Sequence, residues 1–391
     1  MKTVTLPVAY MPLVDAAPLI IAQEMGFAEA EGLALDLIAA PSWSSVRDML
    51  AFGRVDAAHL LSPVPVAMAM GLGGVTTPLS AVSVMSVNGD VIGVGRELEQ
   101  RLRDIGYGFD FADALKAAQA LAQVTKDTLV FGAPFPFSMH VELLRYWFER
   151  SGLSEKQIKI RTIPPPLMAE ALSTGEVDAF CVGEPWGSVA VDQGAGALLL
   201  PGTAIWRFAP EKVLSVRQDW AETEPEKLGH LIRAVWKAGQ WLSLPKSKTT
   251  AAEILSRPSY LDVSSELIDR ALSGHFTISS RAEQRTVDDF IGFHAGTTNF
   301  PWRSQAKWIA HRLSLENGLS SSEAQRLGGA VFRSDLYRKH MIGTDADLPG
   351  ASEKLEGSIL HITAVASQKG ELSLPPDTFF DGQIFDPDEA H

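Results

Sequence analysis

Between Thr3 and Leu61 the chain alternates between strand-like and helix-like segments, and near Leu129 the same alternation starts again. "TVTLPVA" from Thr3 suits a strand, and Ala17–Met25 predicts a helix that stops near Gly26. "LALDLI" from Leu33 alternates as a second strand. Ser44–Phe52 reads as a helix capped by Ser42 or Ser44, and Asp56–Leu61 returns to extended structure. A β-α-β-α-β run of this kind predicts a parallel sheet covered by helices.

The second round follows the same pattern. Leu129–Gly132 is a short strand and "FPFSM" a loop; His140–Ser151 is a helix ended by Gly152. Ile158–Ile163 is a strand, Leu167–Ser173 a helix before Gly175, and Ala179–Gly183 a strand running into "EPW". Two α/β units in series predict two lobes with a cleft between them, where a small ligand is usually held. Between the units, "GLGGVTTPL" from Gly71 is rich in breakers, and "NGD" at Asn88–Asp90 reads as a hairpin turn. From about Glu222 long helical patterns carry Trp236, Trp241 and Trp308, and the acid-rich tail from Leu374 reads as a loosely packed extension.

Composition narrows the function. A net charge of −13 disfavours a nucleic-acid surface, and one cysteine excludes an intramolecular disulfide and a cysteine-rich zinc site. That residue, Cys181 in "AFCV", reads as inert core. No apolar run reaches membrane-spanning length without charges or breakers. The apolar stretch Ala16–Ala22 leads into Gln23 and Glu24 with no A-x-A-like cleavage site, so the expectation is a cytoplasmic protein. "GLGG" at Gly71–Gly74 lacks both the GK[ST] of a phosphate loop and the spacing of a dinucleotide loop. The nine histidines show no metal-ligand spacing. With no nucleophile–base pair and no cofactor motif, no enzyme is expected.

The residues that attract notice stand at strand ends. Trp43 precedes a helix in "APSWSSVRD", His140 opens a helix after "APFPFSM", Gly183 closes a strand at "VGEPW", and Lys212 follows "WRFAPE". Together they offer aromatic enclosure, an imidazole, backbone N–H groups and an ammonium, a set suited to a small oxyanion. In "IPPPLM" the prolines preset φ at the entry to a helix.

Several stretches resemble the nitrate/bicarbonate-binding family of ABC-transporter solute receptors. They include "YMPLVDAAPLIIAQEMGF" (10–27), "APSWSSVRDML" (40–50), "VDAAHLLSPVPVAMAMGLGG" (55–74), "HVELLRYW" (140–147), "VDAFCVGEPW" (177–186) and "NFPWRSQAKW" (299–308). The likeness runs from about residue 3 to 345 and is nearest to the cytoplasmic nitrate/nitrite-sensor branch of the NasS type. It implies a two-lobed α/β, periplasmic-binding-protein-like (type II) fold closing on one planar oxyanion. Residues 1–87 then form the first part of lobe I and 88–200 form lobe II. Residues 201–345 return to lobe I and add helices, and 346–391 form a C-terminal extension. The family's binding tryptophan, histidine, glycine and lysine fall on Trp43, His140, Gly183 and Lys212. Lysine fits a monoanion such as nitrate or nitrite, whereas the bicarbonate branch has an acidic residue and a calcium there. The family's glutamine donor falls on Asp90, a departure, because a carboxylate offers no donor. The sensor branch further implies an ANTAR-domain antiterminator of the NasT type as partner, with no direct contact to nucleic acid or membrane. A solute receptor of a transporter is the alternative.

Overall fold

The computed structural model describes residues 3–153, 158–294 and 296–389. Strands β1 (Val4–Tyr10), β2 (Leu33–Ala39) and β3 (Ala57–Leu61) form the parallel part of a six-stranded sheet, with β1 between the other two. Helices Ala17–Glu24 and Trp43–Ala51 make the crossovers. Ser42 caps the second of these by accepting from Ser45 N, and Gly26 takes a left-handed φ of 74° after the first. β4 (Leu79–Asn88) completes the first pass through this lobe, buried along its whole length.

The chain then leaves the sheet. β5 (Asp90–Gly95) pairs in a different, five-stranded sheet, so "NGD" is a passage between lobes and not a hairpin turn. The physical reason is local: Asn88 and Gly89 have φ of 59° and 103°, a conformation that reverses a hairpin or redirects a chain equally well. What decides is the Asn88 side chain. It donates to Arg207 O (2.8 Å) and accepts from Ala209 N (2.9 Å), clasping the segment by which the chain returns.

The second sheet is completed by β6 (Leu129–Ala133), β7 (Ile158–Thr162), β8 (Ala179–Gly183) and β9 (Gly196–Pro201), in the order β7-β6-β8-β5-β9. β6 is parallel to β7 and β8, as its helical crossovers require, while β5 runs antiparallel to β8 and β9. Helix Met139–Ser151, capped by Ser138, follows β6, and Gly152 ends it at φ 78°. The chain re-enters the first sheet as β10 (Pro210–Arg217), antiparallel between β3 and β4.

The remaining chain is mostly helical and packs on both lobes. Helix Pro225–Leu242 lies against Ala17–Glu24, and its Arg233 and Lys237 both hold Glu31, at 2.9 and 2.7 Å. Helix Arg303–Asn317 reaches lobe II through Arg312, which grips Glu149 with two bonds of 2.7 and 2.8 Å. The acid-rich tail carries buried Asp377, Phe379 and Phe385. Ser304 donates to Glu356 at 2.6 Å, and Lys354 bridges Glu356 and Asp377. Phe379 stacks on Trp206, while Tyr146 of lobe II donates to Asp381 (2.9 Å). Among the described residues no helix is long and apolar enough to cross a membrane.

Candidate functional site

The strand ends and loops singled out in the sequence meet between the lobes. Lobe I supplies Asp15 from the turn after β1, Trp43 from the first residue of its helix, His59 from β3, and Glu211 and Lys212 from β10. Lobe II supplies Asp90 at the start of β5, His140 in the first turn of its helix, and Gly183 at the end of β8. Asp90 and Gly183 are partners in the β5–β8 ladder, which fixes their proximity. None of these side chains is more than 2% exposed. The lobes are latched here: Val14 N donates to Glu184 O and Trp186 Nε1 donates to Pro12 O, both at 2.9 Å.

Lys212 is the cation of the site. Its Nζ lies 2.8 Å from Asp15 Oδ2, 2.5 Å from Glu211 Oε1 and 5.4 Å from the centre of the Trp43 ring. Burial alone would depress the ammonium, but Asp15, Glu211 and Asp90 hold it above the ordinary lysine value. Burial likewise opposes the Asp15 charge, yet Lys212 and His59 keep that carboxyl well below the usual carboxylate range. His59 accepts from Met11 N on Nδ1 at 3.5 Å, and its Nε2 lies 2.9 Å from Asp15 Oδ1 without the alignment of a hydrogen bond. Trp43 Nε1 is buried and has no hydrogen-bond partner among the described residues.

His140 sits between two acids. Its Nε2 is 2.9 Å from Asp90 Oδ1 and its Nδ1 is 3.4 Å from Glu211 Oε1. Neither contact has the alignment of a hydrogen bond, so both ring nitrogens and both Asp90 oxygens lack a partner among the described residues. Burial lowers the imidazole to about 4, so it is neutral near pH 7. Burial also pushes Asp90 up to about 6 and Glu211 up to about 8, the latter helped by the Asp90 charge. Asp90, His140 and Glu211 offer ligand atoms within 4.8 Å of one another, the spacing of a cation site. Lys212, 2.5 Å from Glu211, already supplies that positive charge and would oppose a metal ion beside it.

Gly183 is placed by close approach. A Cβ there would stand 2.6 Å from Leu13 Cδ2 of the opposite lobe and 3.6 Å from oxygens of both Asp15 and Asp90. All five residues named from the sequence, Trp43, Asp90, His140, Gly183 and Lys212, therefore come together. Asp90 faces the cluster squarely. Sequence reasoning missed Asp15, His59 and Glu211. Asp15 and His59 had a signal, being lone polar residues inside apolar runs. Glu211 had none, because neighbours on a regular strand point to opposite faces. The β10–β4 register slips on both sides of Lys212, and this irregularity lets both side chains enter the cleft. Cys181 is buried, with its thiol raised above the ordinary value by burial.

A family model described as the NMT1-like family matches residues 1–256, well over half of the chain. The chain belongs to the NMT1-like family. The chain is 29% identical to the nitrate/nitrite binding protein NrtA of Nostoc, over 99% of this chain and 84% of that protein. It is 32% identical to the nitrate import ATP-binding protein NrtC of Synechocystis, over 80% of this chain; there it spans about half the relative, 46%. The crystal structure of the periplasmic nitrate-binding protein NrtA from Synechocystis superposes with a TM-score of 0.83 at 28% identity, covering 99% of this chain and 96% of that one. The NMT1-like chain thus has the two-lobed, periplasmic-binding-protein-like (type II) fold with a helix-rich C-terminal half.

These matches correct the sensor reading. Proteins named for nitrate and nitrite binding match almost the whole chain, and the solved one is periplasmic. The NasS-type sensor, its NasT-type antiterminator partner and the cytoplasmic location all fall with it. The reason is physical: most of the stretches that carried the resemblance build the turn after β1, the Trp43 helix, β3, the His140 helix and the Gly183 turn. They encode the cleft, which a sensor and a transport receptor have in common, and say nothing about the surface a partner would grip.

Proposed function

We propose that this chain is the solute-binding component of an ABC transporter for a small oxyanion, nitrate or nitrite, and that it works outside the cytoplasm. The observation that carries the reading is Lys212, a fully buried ammonium between the lobes, flanked by the unpartnered Trp43 Nε1–H. An anion entering there displaces a carboxylate oxygen from Nζ and takes the indole N–H, with the Gly183 turn closing over it. A charge-assisted bond in a dry cleft gives affinity for a planar monoanion. The relatives' names point the same way. Lobe closure around the anion then presents one surface to the transporter's membrane subunits only when loaded.

One observation favours bicarbonate as a second reading. The unpartnered Asp90 oxygens are acceptors, and bicarbonate, unlike nitrate, carries a hydroxyl to donate. Titration calorimetry of anion-free protein with nitrate, nitrite, bicarbonate and sulfate tests the choice. Heat with nitrate or nitrite supports the first reading; heat with bicarbonate alone moves the assignment to the second.

A further inference from the structure

The cleft holds more negative charge than a receptor for a free monoanion needs. Asp15, Asp90 and Glu211 face a single ammonium, Lys212, and two imidazoles that burial keeps toward the neutral form. Adding nitrate to this set brings one more negative charge into a region closed to water, which is costly unless something neutralises it. Lys212 and His59 hold the Asp15 carboxyl well below the usual carboxylate range, so it does not take the proton. Glu211 Oε1 is bound to Lys212 Nζ, 2.5 Å away, which leaves Glu211 Oε2 and both Asp90 oxygens. The Asp90 and Glu211 carboxyls approach within 4.8 Å across His140, and Asp90 Oδ1, Asp90 Oδ2 and Glu211 Oε2 are buried acceptors without a donor among the described residues.

We infer that the oxyanion is captured together with about one proton, which settles on Asp90 beside Glu211 and turns that carboxyl from a repelling group into a hydrogen-bond donor toward the anion. The inference rests on the nitrate or nitrite reading above and names the residues that set its terms. The other charged or titratable groups facing the pair are Asp15 and His59 from lobe I, Lys212 on β10, His140 on its helix, and Cys181 and Glu184 at β8. Glu184 accepts from Ser188 N, 3.1 Å away, and like the pair is raised by burial, to about 7. Raised carboxyls put the proton within reach at neutral pH, and an anion alongside raises them further.

The test is calorimetry of nitrate and nitrite binding at pH 8 in buffers of different ionisation enthalpy, for the full chain and for Asp90→Asn. The dependence of observed heat on buffer gives the number of protons taken up. About one proton per anion in the parent chain, and affinity rising roughly tenfold as pH falls from 8 to 7, is the expected result. In Asp90→Asn an amide replaces the proton, so anion binding persists with uptake reduced and the pH dependence flattened. Heat that is independent of buffer in the parent chain overturns the inference while leaving the anion reading intact. Binding that a chelator abolishes and zinc restores overturns it in favour of a metal at the same groups. Absence of binding with nitrate, nitrite and bicarbonate alike removes both the reading and the inference.

Discussion

Lys212 Nζ and Asp15 Oδ2 lie 2.8 Å apart in a place no solvent reaches, one on β10 and the other in the turn after β1. The pair makes the ligand's cation part of the fold. Replacing Lys212 by alanine is expected to weaken nitrate binding by about 1.5–3 kcal/mol, the value of a hydrogen bond to a charged group. It also strands Asp15 as a buried charge, so unfolding stability should fall by about 3–5 kcal/mol. Adding Asp15→Asn to the variant should recover part of the stability and none of the binding. Urea unfolding and calorimetry on the three variants check this; a Lys212→Ala chain of unchanged stability refutes it.

Gly183 faces Leu13 across the cleft, where a Cβ would come within 2.6 Å of Leu13 Cδ2 and force that side chain to shift. Gly183→Ala is therefore expected to hold the lobes apart and lower oxyanion affinity at least about tenfold, with little change in the stability of either lobe. Leu13→Ala in the same chain removes the colliding methyl and should restore much of the affinity. Small-angle scattering with saturating nitrate reads closure independently. If Gly183→Ala closes and binds like the parent, the turn does not gate the cleft.

The latch between Trp186 Nε1 and Pro12 O offers a milder probe. Trp186→Phe keeps most of the packing and loses one neutral hydrogen bond, about 0.5–1.5 kcal/mol. The loss should appear as faster nitrate release measured by stopped-flow, with the melting of the lobes almost unaffected. An unaltered release rate would mean the latch forms no part of closure.

Stability of the ligand-free protein should depend on pH in a defined direction. Glu211 and Glu184 are buried, with carboxyls raised to about 8 and about 7, above their unfolded values. Between pH 6.5 and 8 the folded chain therefore binds more protons than the unfolded one, and stability declines as pH rises through that window. His59 and His140 are shifted downward and work the other way up to about pH 7.5, offsetting part of the decline in the lower half of the window. The decline should amount to roughly 1 kcal/mol per carboxyl. Denaturant titrations at pH 6.5, 7.25 and 8 measure it; rising stability over this range contradicts the burial of these acids as described.

Much of this was legible in the sequence because the features concerned are local. The strand–helix alternation, the Ser42 cap, the Gly26 and Gly152 stops and the strand-end positions of Trp43 and His140 all follow from short stretches. What escaped depends on distant chain. "NGD" reads as a hairpin turn until Asn88 is seen clasping Arg207 and Ala209. Glu211 hides behind the two-residue period of a strand and enters the cleft only through the register slip at Lys212. The buried ion pair of Lys212 is likewise invisible beforehand, so from sequence the residue reads only as an ammonium for the oxyanion. The sensor reading failed for a different reason: cleft motifs report the ligand, while location and partner are written elsewhere.

The most direct test of the central claim is a crystal structure of the chain grown with nitrate. The account places one nitrate between the lobes, within about 3.5 Å of Lys212 Nζ and Trp43 Nε1 and against the Gly183 turn, with Asp90 and Glu211 facing it. Density for nitrate only on the outer surface, with Lys212 still bound to Asp15 and Glu211 and the cleft unchanged, would contradict it.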